Sequence, residues 1–217
     1  MTGFHWPNRF EMNKKRAVPL LNKLLEQKRY LDNGIYSKSD IEPLTDSLNY
    51  PYAVYLMLSG ELMLNDTIAS QSVAKELMEL ETPSSLDIFR TEFITAKKVL
   101  DPDFDIALEP NIRVNTTSIK LYDCIMNERV PLNLTIYNEG EKALKISKIH
   151  VSCSCLESVG EDSDIIINAN DSLIAKFYFT PDIVGEIQRD IFITSNAINV
   201  PILHIDVLAN AVNNVKD

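Results

Sequence analysis

The segment from Pro131 to Val212 constrains the fold most, because its hydrophobic residues recur with a period of two. Val130–Tyr137 alternates in this way, and Leu173–Thr180 does the same. Further strands are predicted at Leu144–Ile149, Ile165–Ile167, Ile187–Thr194 and Ile198–Ala209. Turn signals at Asn138-Glu-Gly-Glu141 and Asn168-Ala-Asn-Asp171 separate neighbouring strands. Short strands at spacings of roughly ten residues are typical of an antiparallel β-sandwich.

The first hundred residues have helical spacing instead. Apolar residues between Glu11 and Leu31 recur with a period near 3.6, and Asn33-Gly34 is a typical helix end. Further helices are predicted from Ser39 and over Pro51–Leu64, Thr67–Leu80 and Ser84–Leu100. Helices joined by such short turns favour a small bundle or a pair of helical hairpins.

An acidic, proline-containing segment, Asp101-Pro-Asp-Phe-Asp105, separates the two patterns. We therefore predict a two-part α+β chain, with an α-helical region over residues 1–105 and a β-sandwich over residues 106–217.

Composition excludes some functional classes. The chain has 217 residues and a formal net charge of −10, which disfavours nucleic-acid binding because phosphate neutralisation requires basic side chains. No run of apolar residues is long enough for a transmembrane helix. No convincing export signal is present, which predicts the cytoplasm by default, and Met12 is an alternative start to Met1.

Cys153 and Cys155 are the residues most able to carry chemistry. In an extended strand they would share one face, with Cα atoms about 6.6 Å apart and nearly parallel Cα–Cβ bonds, whereas a disulfide needs Cβ atoms about 3.8 Å apart. We therefore favour two free, buried thiols. A turn at this point would permit a redox-active disulfide. As a soft-metal site for copper or zinc, the two cysteines would supply two thiolates, which is enough for Cu(I) but short of the four ligands usual for zinc. His150 would join them only if the backbone kinks, because it points to the opposite face of an extended strand, and a pairing with Cys124 is a further alternative.

Two other features predict binding surfaces. Phe4, Trp6 and Phe10 form an aromatic group ahead of the first helix, suited to docking or to a partner contact. An edge strand of the sandwich would offer free backbone groups to a partner strand.

Several motifs of the C-terminal half occur together in a known family. They are Asn138-Glu-Gly140, Cys153-Ser-Cys155, Phe177-Tyr-Phe179, Gly185, Ile191-Phe-Ile193 and Ser195-Asn196. Over Ile119–Ala211 the chain resembles the bacterial domain of unknown function 1573, which is similar to the immunoglobulin-like domains of ciliary and centrosomal proteins such as Hydin. The family usually has glycine where this chain has Ser154, and a Pro-Gly turn where it has Asn168–Asp171. The resemblance implies an immunoglobulin-like binding or scaffolding sandwich, in a family that is usually exported to the periplasm or cell envelope.

These observations predict a non-enzymatic protein-interaction or scaffold module with an unidentified protein partner. The alternative is a thiol-redox or soft-metal protein centred on Cys153 and Cys155. A second alternative is a helical adaptor that binds its partner through the N-terminal region.

Overall fold

The computed structural model of the protein describes residues 14–48 and 50–213, and it confirms the α+β class. The chain divides into two compact units. One contains the residues up to Glu81 together with Phe89–Phe104, and the other contains Thr82–Ile88 and the residues from Asp105 onward. No helix in residues 14–48 or 50–213 combines the length and the hydropathy that a membrane span requires.

Six helices precede the strands. They are α1 (Lys14–Asp32), α2 (Lys38–Leu48), α3 (Pro51–Met63), α4 (Thr67–Glu79), α5 (Pro83–Ile88) and α6 (Arg90–Leu100). The helix stop at Asn33-Gly34 is confirmed, since Gly34 has a left-handed φ of 75°. The single helix predicted over Ser84–Leu100 is wrong, because Phe89 leaves the helical conformation and packs its ring edge-on against Tyr50.

A glutamate is buried inside the helical unit. Glu61 on α3 is 4% exposed, and its Oε1 accepts a 2.7 Å hydrogen bond from the hydroxyl of Tyr36. Lys38 Nζ lies 3.7 Å from the same oxygen. The Tyr36 ring lies against Gly60, where an added Cβ would approach it to 2.1 Å. Tyr36 thus fills the space beside α3 and also satisfies the buried carboxyl group.

We expect Tyr36→Phe to lower the free energy of unfolding of the helical unit by about 1–3 kcal/mol, because the ring remains while Glu61 loses a buried hydrogen bond. Desolvation and then the bond to Glu61 raise the pKa of Tyr36. The contribution of Tyr36 is therefore complete below the pKa of an unfolded tyrosine, and it is lost as the pH rises beyond it. Urea unfolding at neutral and alkaline pH measures both effects.

Tyr30→Phe is the matched control. Its hydroxyl donates to Glu26 in an exposed pair, so we expect a change within about 0.5 kcal/mol. Equal losses in the two variants would contradict the role assigned to Tyr36.

Two sheets form the second unit. After a short 3-10 helix (Ile106–Leu108), the strands are β1 (Ile112–Val114), β2 (Ser118–Ile125), β3 (Val130–Asn138), β4 (Leu144–Val151), β5 (Leu156–Val159), β6 (Ile165–Ile167), β7 (Ser172–Phe179), β8 (Gly185–Ser195) and β9 (Ile202–Val212). One sheet has the order β1-β3-β7-β5, and the other has the order β2-β9-β8-β4-β6. All the strand pairs are antiparallel except β2 with β9, which is parallel.

Apolar side chains at alternate positions of the strands point inward and form a core between the two sheets. Leu134 and Ile136 of β3 are fully buried, and so are Phe179 of β7 and Ile191 and Ile193 of β8. The predicted strands are confirmed except for the start of the last one. That strand begins at Ile202 rather than Ile198, because residues 196–201 form a loop in which the Ile198 N–H bonds to the Pro110 carbonyl. Strands β1, β2 and β5 were not predicted.

Asn138 organises the crossing from one sheet to the other. The predicted turn after it is present, but it joins β3 of the four-stranded sheet to β4 of the five-stranded sheet. The side chain is 1% exposed. Its Nδ2 donates to the carbonyls of Lys142 (2.8 Å), Ile167 (3.1 Å) and Asn168 (3.1 Å), and its Oδ1 accepts from the N–H groups of Gly140 (3.1 Å) and Asn111 (3.4 Å). One side chain therefore holds three segments of the sandwich together.

Candidate functional site

The two cysteines lie in the turn between β4 and β5. Strand β4 ends at Val151, so residues 152–155 are not extended, and the Cα atoms of Cys153 and Cys155 are 5.2 Å apart. The structure joins them in a disulfide. This differs from the favoured prediction of free thiols, because that prediction assumed an extended backbone. Cys155 is buried and Cys153 is half-buried.

An arginine faces the disulfide from β8. Arg189 lies two residues from both Ile187 and Ile191 along β8, and it therefore shares their inward-facing side of the sheet. Its Nε lies 3.1 Å from Cys155 Sγ, and its Nη2 lies 3.2 Å from an oxygen of Asp182. The guanidinium thus places a fixed positive charge against the more buried of the two sulfurs.

Arg189 was not among the residues predicted from the sequence. A charged residue at an inward position of an alternating strand was the signal that could have identified it, since such positions are normally apolar.

His150 does not join the cysteines. It lies on the outer face of β4, where its ring stacks with that of Phe192 at a centroid distance of 6.5 Å. Bridged sulfurs are not thiolates, the form that binds copper or zinc, so a soft-metal site here would first require reduction of the disulfide. Cys124 is free and buried, and burial raises the pKa of its thiol.

A second cluster lies on the outer face of the five-stranded sheet. His204 Nε2 is 2.8 Å from Asp190 Oδ1 and 3.8 Å from Asp206 Oδ1, and ligand atoms of the three residues lie within 4.8 Å of one another. Asp190 and Asp206 are direct partners across β8 and β9. The cluster was not predicted from the sequence, because only the register of β8 and β9 brings its residues together.

A third candidate surface is the outer side of β2. This strand pairs with β9 on one side and is the outermost strand of its sheet. Tyr122 is 74% exposed. A surface cleft of about 510 Å³ lies beside it, lined by residues of β2, β8 and β9 that include Leu121 and Leu208. The aromatic group Phe4, Trp6 and Phe10 lies outside the described residues.

Comparison with known families confirms the predicted resemblance. Residues 112–207 match the family described as a protein of unknown function, DUF1573. A search of curated proteins found no match.

Solved structures are similar to about half of this chain. A protein of unknown function from Porphyromonas gingivalis W83 is 19% identical, with a TM-score of 0.42, over 51% of this chain and 50% of its own. The chain therefore spans half the length of that structure. PapD-like domain 7 of human CEP192 is 9% identical, with a TM-score of 0.39, over 51% of this chain and 89% of its own. The YadV chaperone is 11% identical, with a TM-score of 0.36, over 49% of this chain and 55% of its own.

Proposed function

We propose that this chain, with its DUF1573-type sandwich, is a non-enzymatic protein-interaction module that takes up an extended segment of a partner along β2. The outer side of β2, which pairs with no other strand of the described residues, carries the proposal. Strand β2 has eight residues, whereas the other three edge strands, β1, β5 and β6, have three or four. Short edge strands resist the addition of a further strand, and a long one favours it.

The direction of the backbone N–H and C=O groups decides which residues of β2 can pair with an added strand, and we call these residues the binding window. The Asp206 N–H donates to the Thr117 carbonyl at 2.9 Å. Alternate residues of a parallel strand bond to the same neighbour, so Ile119 also bonds to β9, whereas the backbone groups of Lys120 and Tyr122 point away from it. Each of these two residues offers one donor and one acceptor to an added strand.

The window is limited at both ends. Thr116 Oγ1 accepts from the Ser118 N–H at 3.1 Å and donates to its carbonyl at 2.8 Å, which occupies the outward groups of that residue. At the other end, the register shifts between Leu121 and Cys124, and Asp123 has a φ of 54°. We infer a short pairing segment, with the cleft beside Tyr122 receiving a side chain of the partner.

The chemistry of the described histidines supports a non-enzymatic role. His204 is hydrogen-bonded to Asp190, and His150 stacks on Phe192. Within residues 14–48 and 50–213, neither is hydrogen-bonded to a serine or a cysteine, as a base that activates a nucleophile would be.

We retain residues 1–105 and 106–217 as the proposed domains.

The test compares two substitutions at one position. Peptides of about ten residues are selected from a random display library on the full chain, and their affinities are measured by fluorescence anisotropy. Lys120→Pro removes the outward N–H, which an edge strand tolerates, and we expect binding to weaken at least about tenfold. Lys120→Ala keeps the N–H, and we expect a loss of less than about threefold.

Hydrogen exchange on the same complexes identifies the surface used. Protection of the Lys120 and Tyr122 amides supports the proposal. Protection confined to the helices, with full binding by the proline variant, contradicts it and favours the helical adaptor.

A further inference from the structure

We propose that the Cys153–Cys155 disulfide is a thiol–disulfide exchange site, at which an external dithiol attacks Cys153 and Cys155 leaves as a thiolate held by Arg189. The co-reactant is a dithiol, either a small molecule or a protein with two neighbouring thiols. This site is separate from β2, and the inference goes beyond the proposed interaction function.

Burial distinguishes the two sulfurs. Cys155 is 7% exposed and belongs to the core of the sandwich, whereas Cys153 is half-buried and packs against that core without being part of it. A thiolate must approach the sulfur that it attacks along the direction of the S–S bond. The core closes that approach to Cys155, so Cys153 is the sulfur open to attack.

The positive charge of Arg189 also favours attack on Cys153 with Cys155 as the leaving sulfur. The sulfur that leaves takes up the electron pair of the broken bond, and exchange is faster when that sulfur is a better leaving group. Arg189 Nε lies 3.1 Å from Cys155 Sγ, so a thiolate formed there would receive a charge-assisted hydrogen bond. Asp182 faces the guanidinium at 3.2 Å, which partly offsets its charge and also fixes its position.

The turn that carries the cysteines is anchored at both ends. Ser152 N–H donates to the Asp190 carbonyl at 2.9 Å, and the Asp190 N–H donates to Ser152 Oγ at 2.8 Å. At the other end, the Thr180 N–H donates to the Cys155 carbonyl at 2.8 Å. These bonds do not involve the sulfurs and therefore persist after reduction. The two thiols then remain close enough for the disulfide to form again.

The exchange balances in two steps. A thiolate of the dithiol attacks Cys153 Sγ, the Cys153–Cys155 bond breaks, and its electron pair remains on Cys155 Sγ. The second thiol of the co-reactant then attacks the co-reactant sulfur that is bonded to Cys153. The bond to Cys153 Sγ breaks, and Cys153 leaves and takes up the proton of that second thiol. Two electrons pass to the cysteine pair from the dithiol, which becomes a disulfide; the negative charge of its attacking thiolate ends on Cys155, and the proton of its second thiol ends on Cys153. The reverse sequence oxidises a partner dithiol.

The first test locates the attacked sulfur. The oxidised full chain is treated with excess glutathione, quenched in acid and alkylated, and peptide fragmentation between the two cysteines assigns each adduct. We expect glutathione on Cys153 and the alkyl group on Cys155. Glutathione on Cys155 would overturn the proposal, and so would an air-purified protein whose three cysteines are all free thiols. Cys124, buried and unbridged, serves as an internal reference that alkylates only after unfolding.

The second test isolates the role of Arg189 as a positioning residue. We expect Arg189→Gln to slow reduction by dithiothreitol about tenfold and Arg189→Lys to restore part of the rate. Arg113→Gln removes a surface arginine that pairs with Glu139, and it should leave the rate unchanged.

The ultraviolet absorbance of the thiolate in the reduced protein provides a second measurement, which would not change if Arg189 had only a structural role. Arg189→Gln should shift the thiolate titration to higher pH, while Arg189→Lys should stay near the wild type. An unchanged reduction rate and titration in folded Arg189→Gln would refute the role of the arginine. If that variant does not fold, the lysine variant and the wild-type adduct map still decide the question.

Discussion

Replacing Asn138 with alanine is expected to lower the free energy of unfolding of the sandwich by about 4 kcal/mol, the upper range for single substitutions. The side chain is 1% exposed and makes five hydrogen bonds to backbone groups. Removing it leaves several buried donors and acceptors without partners, each costing about 1–3 kcal/mol before the structure relaxes. Chemical denaturation monitored by circular dichroism measures the loss.

Asn138→Asp separates hydrogen bonding from shape. The variant has the same size, but its second oxygen would face the three carbonyls that now accept from Nδ2. Burial and these carbonyl dipoles favour the protonated form, so the pKa of the introduced carboxyl group should be raised in the folded state. Its folded form is then most stable at low pH, and stability is lost as the pH rises above the ordinary aspartate range.

The control for both variants is Asn133→Asp, which changes an exposed residue of the same strand. We expect its effect to stay within about 0.5 kcal/mol and to lack the pH dependence of Asn138→Asp. If the three variants were equally stable at neutral pH, Asn138 would not hold the crossing between the sheets.

Gly140→Ala is expected to be similarly severe, at about 3–5 kcal/mol, or to prevent folding. A Cβ at this position would lie 2.0 Å from the carbonyl oxygen of Glu109 and 2.9 Å from the backbone nitrogen of Asn111. Both are backbone atoms and cannot move aside by changing a rotamer. The crossing from β3 to β4 would therefore have to separate from the segment before β1. Thermal and urea unfolding of the purified variant measure the effect.

Gly160→Ala gives the matched comparison. Gly160 has a φ of 98°, but an added Cβ would meet nothing within 4 Å. Its substitution costs only the backbone strain of an unfavourable φ, about 1–2 kcal/mol. A loss at Gly140 no larger than that at Gly160 would contradict the steric explanation.

Much of the fold was predictable because apolar and polar side chains alternate along most of its core strands. In β3 and β7 the core-facing positions from Val130 to Ile136 and from Leu173 to Phe179 are all apolar. In β8 those from Ile187 to Ile193 are apolar except for Arg189, so the pattern is visible in sequence. Strand β2 was missed because Asp123 has a positive φ and the register shifts there, which interrupts the alternation. Strands β1 and β5 are too short to show a period.

The candidate sites depend on information that a linear pattern does not contain. The disulfide forms because the chain turns after Val151, and no alternation rule specifies where a strand ends. Arg189 contacts Cys155, which lies 34 residues away in the sequence. Asp190 is hydrogen-bonded to His204 because of the register in which β8 pairs with β9. Side chains that come together only through strand pairing cannot be grouped before the pairing is known.

The parallel pairing of β2 with β9 affects the order in which the domain can be made. Translation produces β9 after every other strand of the sandwich, yet β9 lies inside its sheet, between β2 and β8. A nascent chain that ends before Ile202 therefore exposes the inner edges of both neighbours and has no partner for β2. Because unpaired strand edges promote association between chains, these two edges are where an incomplete chain should be most prone to aggregate until β9 is added.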